Sequence, residues 1–273
     1  MGIDPCTGQI RPSRFAKGAT VRALEGKHAV VTGGGRGIGA AIAAALAGHG
    51  ATLTLMGRDS ARLEARAQAL GAHAVTLDVA DSDSVATAFA RATAAAGPVH
   101  ILVNNAGQAA SAPFARTDPV LWTQMLGVNL TGVYLCCRQV IPAMLDSGYG
   151  RVVNIASTAG LTGYAYATAY CAAKHGVIGL TRALALETAR HDVTVNAVCP
   201  GYTDTDMLGA AVANIVQKTG KNEEEARAAL VSRNPQRRLV RPEEVANAAL
   251  WLCLPGAEAI NGQAIAVAGG EVL

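Results

Sequence analysis

Apolar residues along this chain fall into two alternating periods. Short β-rich runs at 28–32, 51–56, 73–77, 100–103, 151–155, 193–198 and 259–267 are separated by Ala-rich stretches whose apolar positions recur at helical spacing. The predicted helices cover 37–48, 61–70, 84–96, 118–145, 167–190 and 242–252, and Asp118-Pro119 supplies a start signal for the fourth. Parallel strands need both faces covered, so this rhythm predicts one doubly wound, seven-stranded parallel sheet in a three-layer α/β/α sandwich. A polar helical excursion at 206–233 stands outside the rhythm. Residues 1–25 carry Pro5, Pro12 and scattered Arg and Lys without an apolar signal core, so they read as a disordered extension before one domain at 26–273.

Composition narrows the function. Of 273 residues, 51% are hydrophobic, 16% charged and 4% aromatic, too apolar for disorder and too poor in rings for a nucleic-acid stacking platform. The formal charge of +3 is not concentrated in any basic run, so neither nucleic acid nor an anionic membrane is an expected partner. No uninterrupted apolar run reaches the roughly 18 residues of a spanning helix. Six scattered cysteines without a C-x-x-C pair read as free thiols of a cytoplasmic protein, and no histidine pairing suggests a metal.

The first strand runs straight into Thr32-Gly-Gly-Gly-Arg-Gly-Ile-Gly39. A glycine turn opening a helix presents free N–H groups and the positive end of the dipole to a pyrophosphate, so Gly33, Gly35, Arg36, Gly37, Ile38 and Gly39 are candidate contacts of a dinucleotide in a Rossmann-type fold. A triphosphate-binding loop would need Lys and Ser or Thr after the last glycine, where Ala40 and Ala41 stand. The second strand ends in Gly57-Arg58, without the acid that would receive the ribose hydroxyls of NAD(H). Arg36 and Arg58 can converge on a 2′-phosphate, which favours NADP(H), with NAD(H) as the alternative; the bland reading leaves both as solvated loop arginines. Asp78, with Val79 at the end of the third strand, is placed to accept from an adenine amino group or simply to end a strand.

Ser157 lies thirteen residues before Tyr170, and Lys174 four residues after it. Tyr170 and Lys174 share a helix face, and an ammonium beside a phenol favours phenolate, which predicts a tyrosine brought down from its usual pKa of about 10 to serve as acid or base. Ser157, just past the fifth strand, would sit at the carboxyl edge of the sheet and hydrogen-bond a substrate oxygen. Singly, each has a plain structural role as core-edge ring, solvated charge or cap; their joint spacing favours chemistry.

From Gly26 to Gly270 the chain resembles the short-chain dehydrogenase/reductase family. The glycine turn is similar to its T-G-x-x-x-G-x-G motif, Asn104-Asn105-Ala106-Gly107 to its strand-four motif, and Asn129 to its helix asparagine, which with Ser157, Tyr170 and Lys174 completes a catalytic tetrad. The resemblance implies that Pro200-Gly201-Tyr202-Thr203-Asp204-Thr205 embraces the nicotinamide, making Asn105, Ala106, Gly107, Pro200, Gly201, Thr203 and Thr205 cofactor contacts together with Tyr170 and Lys174. It also implies hydride transfer between nicotinamide and a carbonyl or secondary alcohol, with Tyr170 moving the proton, Lys174 holding the ribose, Ser157 steadying the oxygen and Asn129 anchoring a relay water.

The pattern is most similar to 3-oxoacyl-thioester and polyketide ketoreductases, with an NAD(H)-dependent 3-hydroxyacyl-CoA or secondary-alcohol dehydrogenase as the runner-up. A serine hydrolase would need Gly where Ile155 stands, and a non-catalytic dinucleotide sensor would not need an intact tetrad. The excursion, taken at about 204–235, reads as a substrate lid or as ordinary core packing. Lys218, Lys221, Arg233, Arg237 and Arg238 are candidate attractants for coenzyme A or a carrier protein, or a solvated face. The helices at 118–145 and 167–190 resemble the pair through which the family assembles, which implies a homotetramer, or failing that a homodimer.

Overall fold

The structure is a computed structural model that describes residues 22–272. The first 21 residues of the expected extension lie outside the described residues; the rest, 22–25, forms part of a turn in which Leu24 is buried in the core and donates its N–H to the His49 carbonyl.

Seven strands, β1 (His28–Thr32), β2 (Thr52–Gly57), β3 (His73–Thr76), β4 (Ile101–Asn104), β5 (Gly150–Ile155), β6 (Val193–Pro200) and β7 (Ala264–Val267), form one all-parallel sheet in the order β3-β2-β1-β4-β5-β6-β7. The helices α1 (Gly37–Gly48), α2 (Ser60–Leu70) and α9 (Pro242–Trp251) cover one face; α3 (Ser82–Ala96), α5 (Gly132–Ser147) and α6 (Thr168–Thr188) cover the other. Adjacent strand residues divide between the faces: Val30, Leu102 and Val152 pack under α3, α5 and α6, while Val31, Val103 and Val153 pack under α1, α2 and α9. Both faces of the central strands are therefore dry, which is why they read as continuous apolar runs. Burial of this kind contributes roughly 25 cal/mol per Å² of apolar surface, so the sheet is a rigid platform for whatever its edge carries.

The chain reverses direction of travel across the sheet between β1 and β4, which opens a crevice at their carboxyl ends. Local signals fix the helices around it. Asp59 caps α2 by accepting from Arg62 N, and Asp81 caps α3 by accepting from Asp83 and Ser84 N.

Two elements differ from the sequence expectation. The last strand starts at Ala264 instead of 259, because Asn261 turns the chain: its Oδ1 accepts from Val195 N, its Nδ2 donates to Ala185 O, and Gly262 follows at φ +71°. The fourth helix is α4 (Pro119–Leu126) continued through a π turn (Gly127–Thr131) into α5. Among the described residues this continuous stretch, Pro119–Ser147, is long and apolar enough to cross a membrane by length and composition, although no single apolar run in it is. One side of it, including Val133, Cys136, Cys137, Val140 and Met144, is buried in the core.

Helix α7 (Asp206–Thr219) and α8 (Glu223–Val231) form the excursion. Leu208 and Val212 of α7 pack with Ala226 and Leu230 of α8 into a small core of their own, flanked by Tyr202, Ile215, Val216 and Leu239. Asn222 caps α8 with Glu225 in a reciprocal box.

Candidate active site

The glycine turn is shaped by contacts that leave no room for side chains at Gly33 and Gly39. Gly33 has φ +66°, and a methyl added there would lie 2.7 Å from Asn105 Nδ2; one on Gly39 would overlap the Gly33 carbonyl oxygen and Asn105 Nδ2. Asn105 donates its amide to the carbonyls of Thr32 (2.9 Å) and Gly33 (3.2 Å), and Thr32 Oγ1 accepts from the N–H groups of Asn105 and Ala106, both at 3.0 Å. Asn105 thus pins the turn to β4 with its side chain. Helix α1 begins directly behind with no side chain capping its N–H groups, which leaves them available to a pyrophosphate. Ile38 anchors the turn by packing partly buried on the core, whereas Gly35 lies beside Leu63 and Arg62 at ordinary contact distance.

Around the expected ribose end, Arg58 is exposed and has no ion-pair partner among the described residues. The residue that joins Arg36 is Arg62, from α2: Arg36 Nη1 lies 3.3 Å and Arg62 Nη1 3.4 Å from the same oxygen of Asp206, and Arg62 Nε lies 3.1 Å from Asp59. Asp59 is therefore held by Arg62 as well as capping α2. Asp206 was not visible as a member of this group, since it lies 170 positions from Arg36. Asp78 accepts from Ala80 N with Oδ1, a strand-end role that leaves Oδ2 without a protein partner among the described residues. Val79 is buried against Gly132.

On the other side, Gly201 N donates to Val267 O, and Thr203 forms a parallel bridge with Val240 through its neighbours, Tyr202 O and Asp204 N. Alternation along an extended chain then turns Thr203's own N–H and C=O away from Val240. Thr205 Oγ1 donates to Thr203 O, and its methyl packs toward Gly37. Pro200 ends β6, so this segment and the glycine turn face each other across the crevice.

The four expected chemical residues meet at the carboxyl end of β5. Ser157 Oγ accepts from Ala159 N at 3.1 Å and caps a short turn, Thr158–Gly160. Tyr170 and Lys174 lie on consecutive turns of α6, with Lys174 Nζ 5.7 Å from the Tyr170 ring centre. Asn129 is fully buried in the π turn. Its amide donates to the Met125 carbonyl at 3.0 Å, one turn back, while also donating to Gln108 O and accepting from Gln108 N. A methyl built on Gly107 would sit 3.0 Å from Asn129 Oδ1 and 3.9 Å from Lys174 Nζ, so these three positions adjoin.

Burial sets the protonation states. Desolvation raises the Tyr170 pKa to about 12, with a hydrogen bond to Ser157 offsetting part of the shift, and lowers Lys174 to about 8. The expected drop of the tyrosine toward neutrality is thus not met; burial moves it the other way. The Lys174 ammonium donates instead to the Ile155 carbonyl at 2.8 Å, and desolvation of the phenol wins. A tyrosine that stays protonated is a proton donor.

The family description short chain dehydrogenase matches residues 27–215. The chain belongs to that family. As a short-chain dehydrogenase it is an oxidoreductase acting between a hydroxyl-bearing carbon and a ketone with a nicotinamide dinucleotide, and the glycine cradle fits such a group. It is 40% identical over 245 residues to acetoacetyl-CoA reductase of Rhizobium meliloti, covering 89% of this chain and 97% of that one. It is 38% identical over 253 residues to the 3-oxoacyl-acyl-carrier-protein reductase of Aquifex aeolicus, covering 90% and 98%. Among solved structures, an actinorhodin polyketide ketoreductase variant with NADPH superposes with a TM-score of 0.87 at 39% identity, covering 90% of this chain and 97% of that one.

Beyond the motifs, this dehydrogenase uses a buried polar line that positions α6: Asn104 Nδ2 donates to Asn154 Oδ1, and Asn154 Nδ2 to Thr181 Oγ1, each at 2.9 Å. The available signal is an Asn directly after an apolar run in each of two strands, at the end of β4 and after Val152-Val153 in β5. Helix α7 is tied across the crevice to the loop after β4, where Asn214 Nδ2 donates to Ser111 Oγ and Lys218 Nζ to Ser111 O. Ala112 N in turn donates to the carbonyl of Tyr166, which adopts φ +65° in the loop before Tyr170. Of the five basic residues considered for a carrier, Lys218 is engaged there, Arg233 pairs with Glu271 and Arg238 with Glu244.

Proposed function

We propose that this short-chain dehydrogenase is an NADP(H)-dependent ketoreductase acting on the keto group of a 3-oxoacyl thioester or polyketide. The observation that carries the reading is the convergence of Ser157, Tyr170, Lys174 and Asn129 beside a cofactor cradle, with the phenol held protonated. When bound, the nicotinamide supplies the hydride. The glycine turn, Asn105, the Pro200–Thr205 segment and Lys174 hold and orient that cofactor. Ser157 Oγ donates to the substrate carbonyl oxygen, and Tyr170 delivers a proton to it as negative charge develops there. Lys174 stands behind Tyr170, and Asn129 anchors the water through which the proton is replaced.

Three features support the choice of substrate and cofactor. The relatives named above reduce acetoacetyl-CoA, 3-oxoacyl groups on acyl carrier protein, or polyketides according to their names. Arg36 and Arg62 offer two guanidinium groups at the ribose end, and Gly57 leaves no carboxylate at the end of β2. Helix α7, stitched to Ser111, and α8, packed on it, serve as the lid. Coenzyme A and carrier-protein thioesters remain the two deliveries to compare, with Lys221 and Arg237 the cations of the original five that have no ion pair among the described residues.

The assembly we propose is a homotetramer built on α4, α5 and α6, which expose Val120, Trp122, Tyr134 and Leu186. A cytoplasmic location is in keeping with the five cysteines that are free among the described residues, Cys136, Cys137, Cys171, Cys199 and Cys253.

The test is consumption of NADPH and of NADH with a panel of 3-oxoacyl-CoA, carrier-bound and simple ketone substrates. Faster turnover of thioesters with NADPH supports the reading; preference for simple ketones or for NADH overturns the corresponding half. Light scattering at micromolar concentration checks the assembly, and a monomeric mass would exclude it.

A further inference from the structure

A buried carboxylate that the reaction does not use lies next to the serine loop. After β7 the chain curls through Gly269 (φ +61°) and Gly270 (φ +91°), and Glu271 N donates to Ala268 O. This turn brings the Glu271 side chain, 4% exposed, back over the end of β6. A methyl on Gly201 would lie 2.8 Å from Glu271 Oε2, so a side chain there would have to displace the carboxylate. Its other oxygen, Oε1, accepts from the Tyr164 hydroxyl at 2.6 Å, and the same hydroxyl accepts from Thr158 Oγ1 at 2.6 Å. Thr158 is the residue after Ser157.

The same carboxylate faces the far end of the α7–α8 pair. Arg233, just beyond α8, places Nε 3.7 Å from Oε1 and its guanidinium carbon 4.2 Å from the Tyr164 ring centre, while the Tyr202 ring meets Tyr164 edge-on at 6.2 Å. Next to it, Asn234 packs against Gly269. A carboxylate removed from water must be compensated, and here two partners compensate it: the Tyr164 hydroxyl on the serine side and the Arg233 cation on the helical side. Burial and the adjoining carboxylate both push the Tyr164 phenol up, so it keeps the proton it donates.

We infer that Glu271 is a positioning residue that ties the α7–α8 pair to the loop carrying Ser157. Its hydrogen bond through Tyr164 to Thr158 sets where Ser157 stands and so governs kcat; its ion pair with Arg233 sets how firmly the helical pair closes and so governs KM. The kinetic half rests on the ketone-reducing reading. The mechanical half does not.

Hydrogen exchange on the full-length protein separates the two. Glu271→Gln keeps an acceptor for Tyr164 but loses the charge that holds Arg233, so faster exchange is expected in 206–233 with 157–167 unchanged. Tyr164→Phe keeps the ring under Arg233 but cuts the link to Thr158, so the expected change is confined to 157–167. Glu271→Ala should loosen both. With the ketone substrate, Glu271→Gln should raise KM and Tyr164→Phe should lower kcat, each by about 3- to 10-fold, the worth of one net hydrogen bond or so, with NADPH affinity unchanged. Unchanged exchange in Glu271→Ala, exchange that rises evenly across the sheet, or kcat and KM moving together in both conservative variants would overturn the inference. Should the wild type reduce no ketone, the functional reading falls while the exchange pattern still decides the clamp.

Discussion

The two walls of the crevice are held by different kinds of contact. On the cofactor wall, the glycine turn is fixed by short hydrogen bonds between Thr32 and Asn105 and by Gly33 and Gly39, where a side chain would clash. On the substrate wall, α7 and α8 have a small core of their own and are joined to the rest by the flanking Tyr202 and Leu239 and by polar contacts: Asn214 and Lys218 to Ser111, Arg233 to Glu271, Asp206 to Arg36. Apart from the pair made by the buried Glu271, these contacts are exposed, and such pairs contribute roughly 0–1 kcal/mol each, so the substrate wall opens more readily than the cofactor wall. The difference teaches where tolerance lies: a change on the first wall should abolish binding, and one on the second should adjust it.

The largest effect is expected on neither wall but at the line where they meet. Tyr170→Phe removes the transferable proton and keeps the ring, so kcat should fall about 10²- to 10⁴-fold with NADPH affinity intact. A loss below about tenfold would mean another group delivers the proton. Next in size comes Gly39→Ala. Its methyl would overlap the Gly33 carbonyl and Asn105 amide, so the turn must open, and cofactor affinity by fluorescence titration should weaken by at least about tenfold. Exchange in 206–233 should be unaffected. If that segment loosens equally, the two walls are one mechanical unit and the comparison fails.

The cofactor wall and the line where the two walls meet were also the legible parts. Glycine spacing after a strand, the position of Ser157 past β5, and the Tyr170/Lys174 offset are all local patterns, and the fold places each at the carboxyl edge as expected. What escaped reading depends on distant pairs. Asp206 meets Arg36 across 170 positions, and Tyr164 meets Glu271 across 107, with nothing periodic to announce either. Asn129 was recognised, but its burial in a π turn was not, because the pattern of apolar positions does not distinguish a helix with one extra residue per turn from a plain one. The tyrosine's protonation differs from the sequence expectation for a related reason: spacing shows that Lys174 is near, but not the depth at which both groups are desolvated.

That depth has a measurable signature in stability. The folded Lys174 pKa lies near 8 against 10.5 for the free group, so between those values the unfolded chain holds a proton that the folded one has released, and stability rises with pH. Below about pH 8 the full cost of burying the ammonium is present, on the order of 3 kcal/mol. Tyr170, raised to about 12, acts oppositely above pH 10, where the folded state keeps a proton that the unfolded state loses. Denaturant unfolding of the unliganded protein should therefore show Lys174→Met losing ground to the wild type from pH 8 to 10. A gap that stays constant with pH would mean the ammonium is better solvated than its contacts indicate.

The smallest expected effect falls where the two walls touch. Asp206 begins α7 and holds Arg36 and Arg62, the two cations that would receive a 2′-phosphate. A dianion and a carboxylate cannot share them without repulsion, so binding the phosphate should cost the Asp206 contact. All three side chains are more than half exposed, which keeps the contact weak. Asp206→Asn removes the competing charge and leaves a side chain of the same size. NADPH should then bind about 2- to 5-fold tighter, with NADH changed less than about twofold, and the gain should shrink as salt is added. Equal tightening of both cofactors would mean that Asp206 acts on the whole dinucleotide through its field. A gain confined to NADPH would mean that the substrate wall is released by the phosphate that the cofactor wall captures, coupling the two regions through one shared pair of arginines.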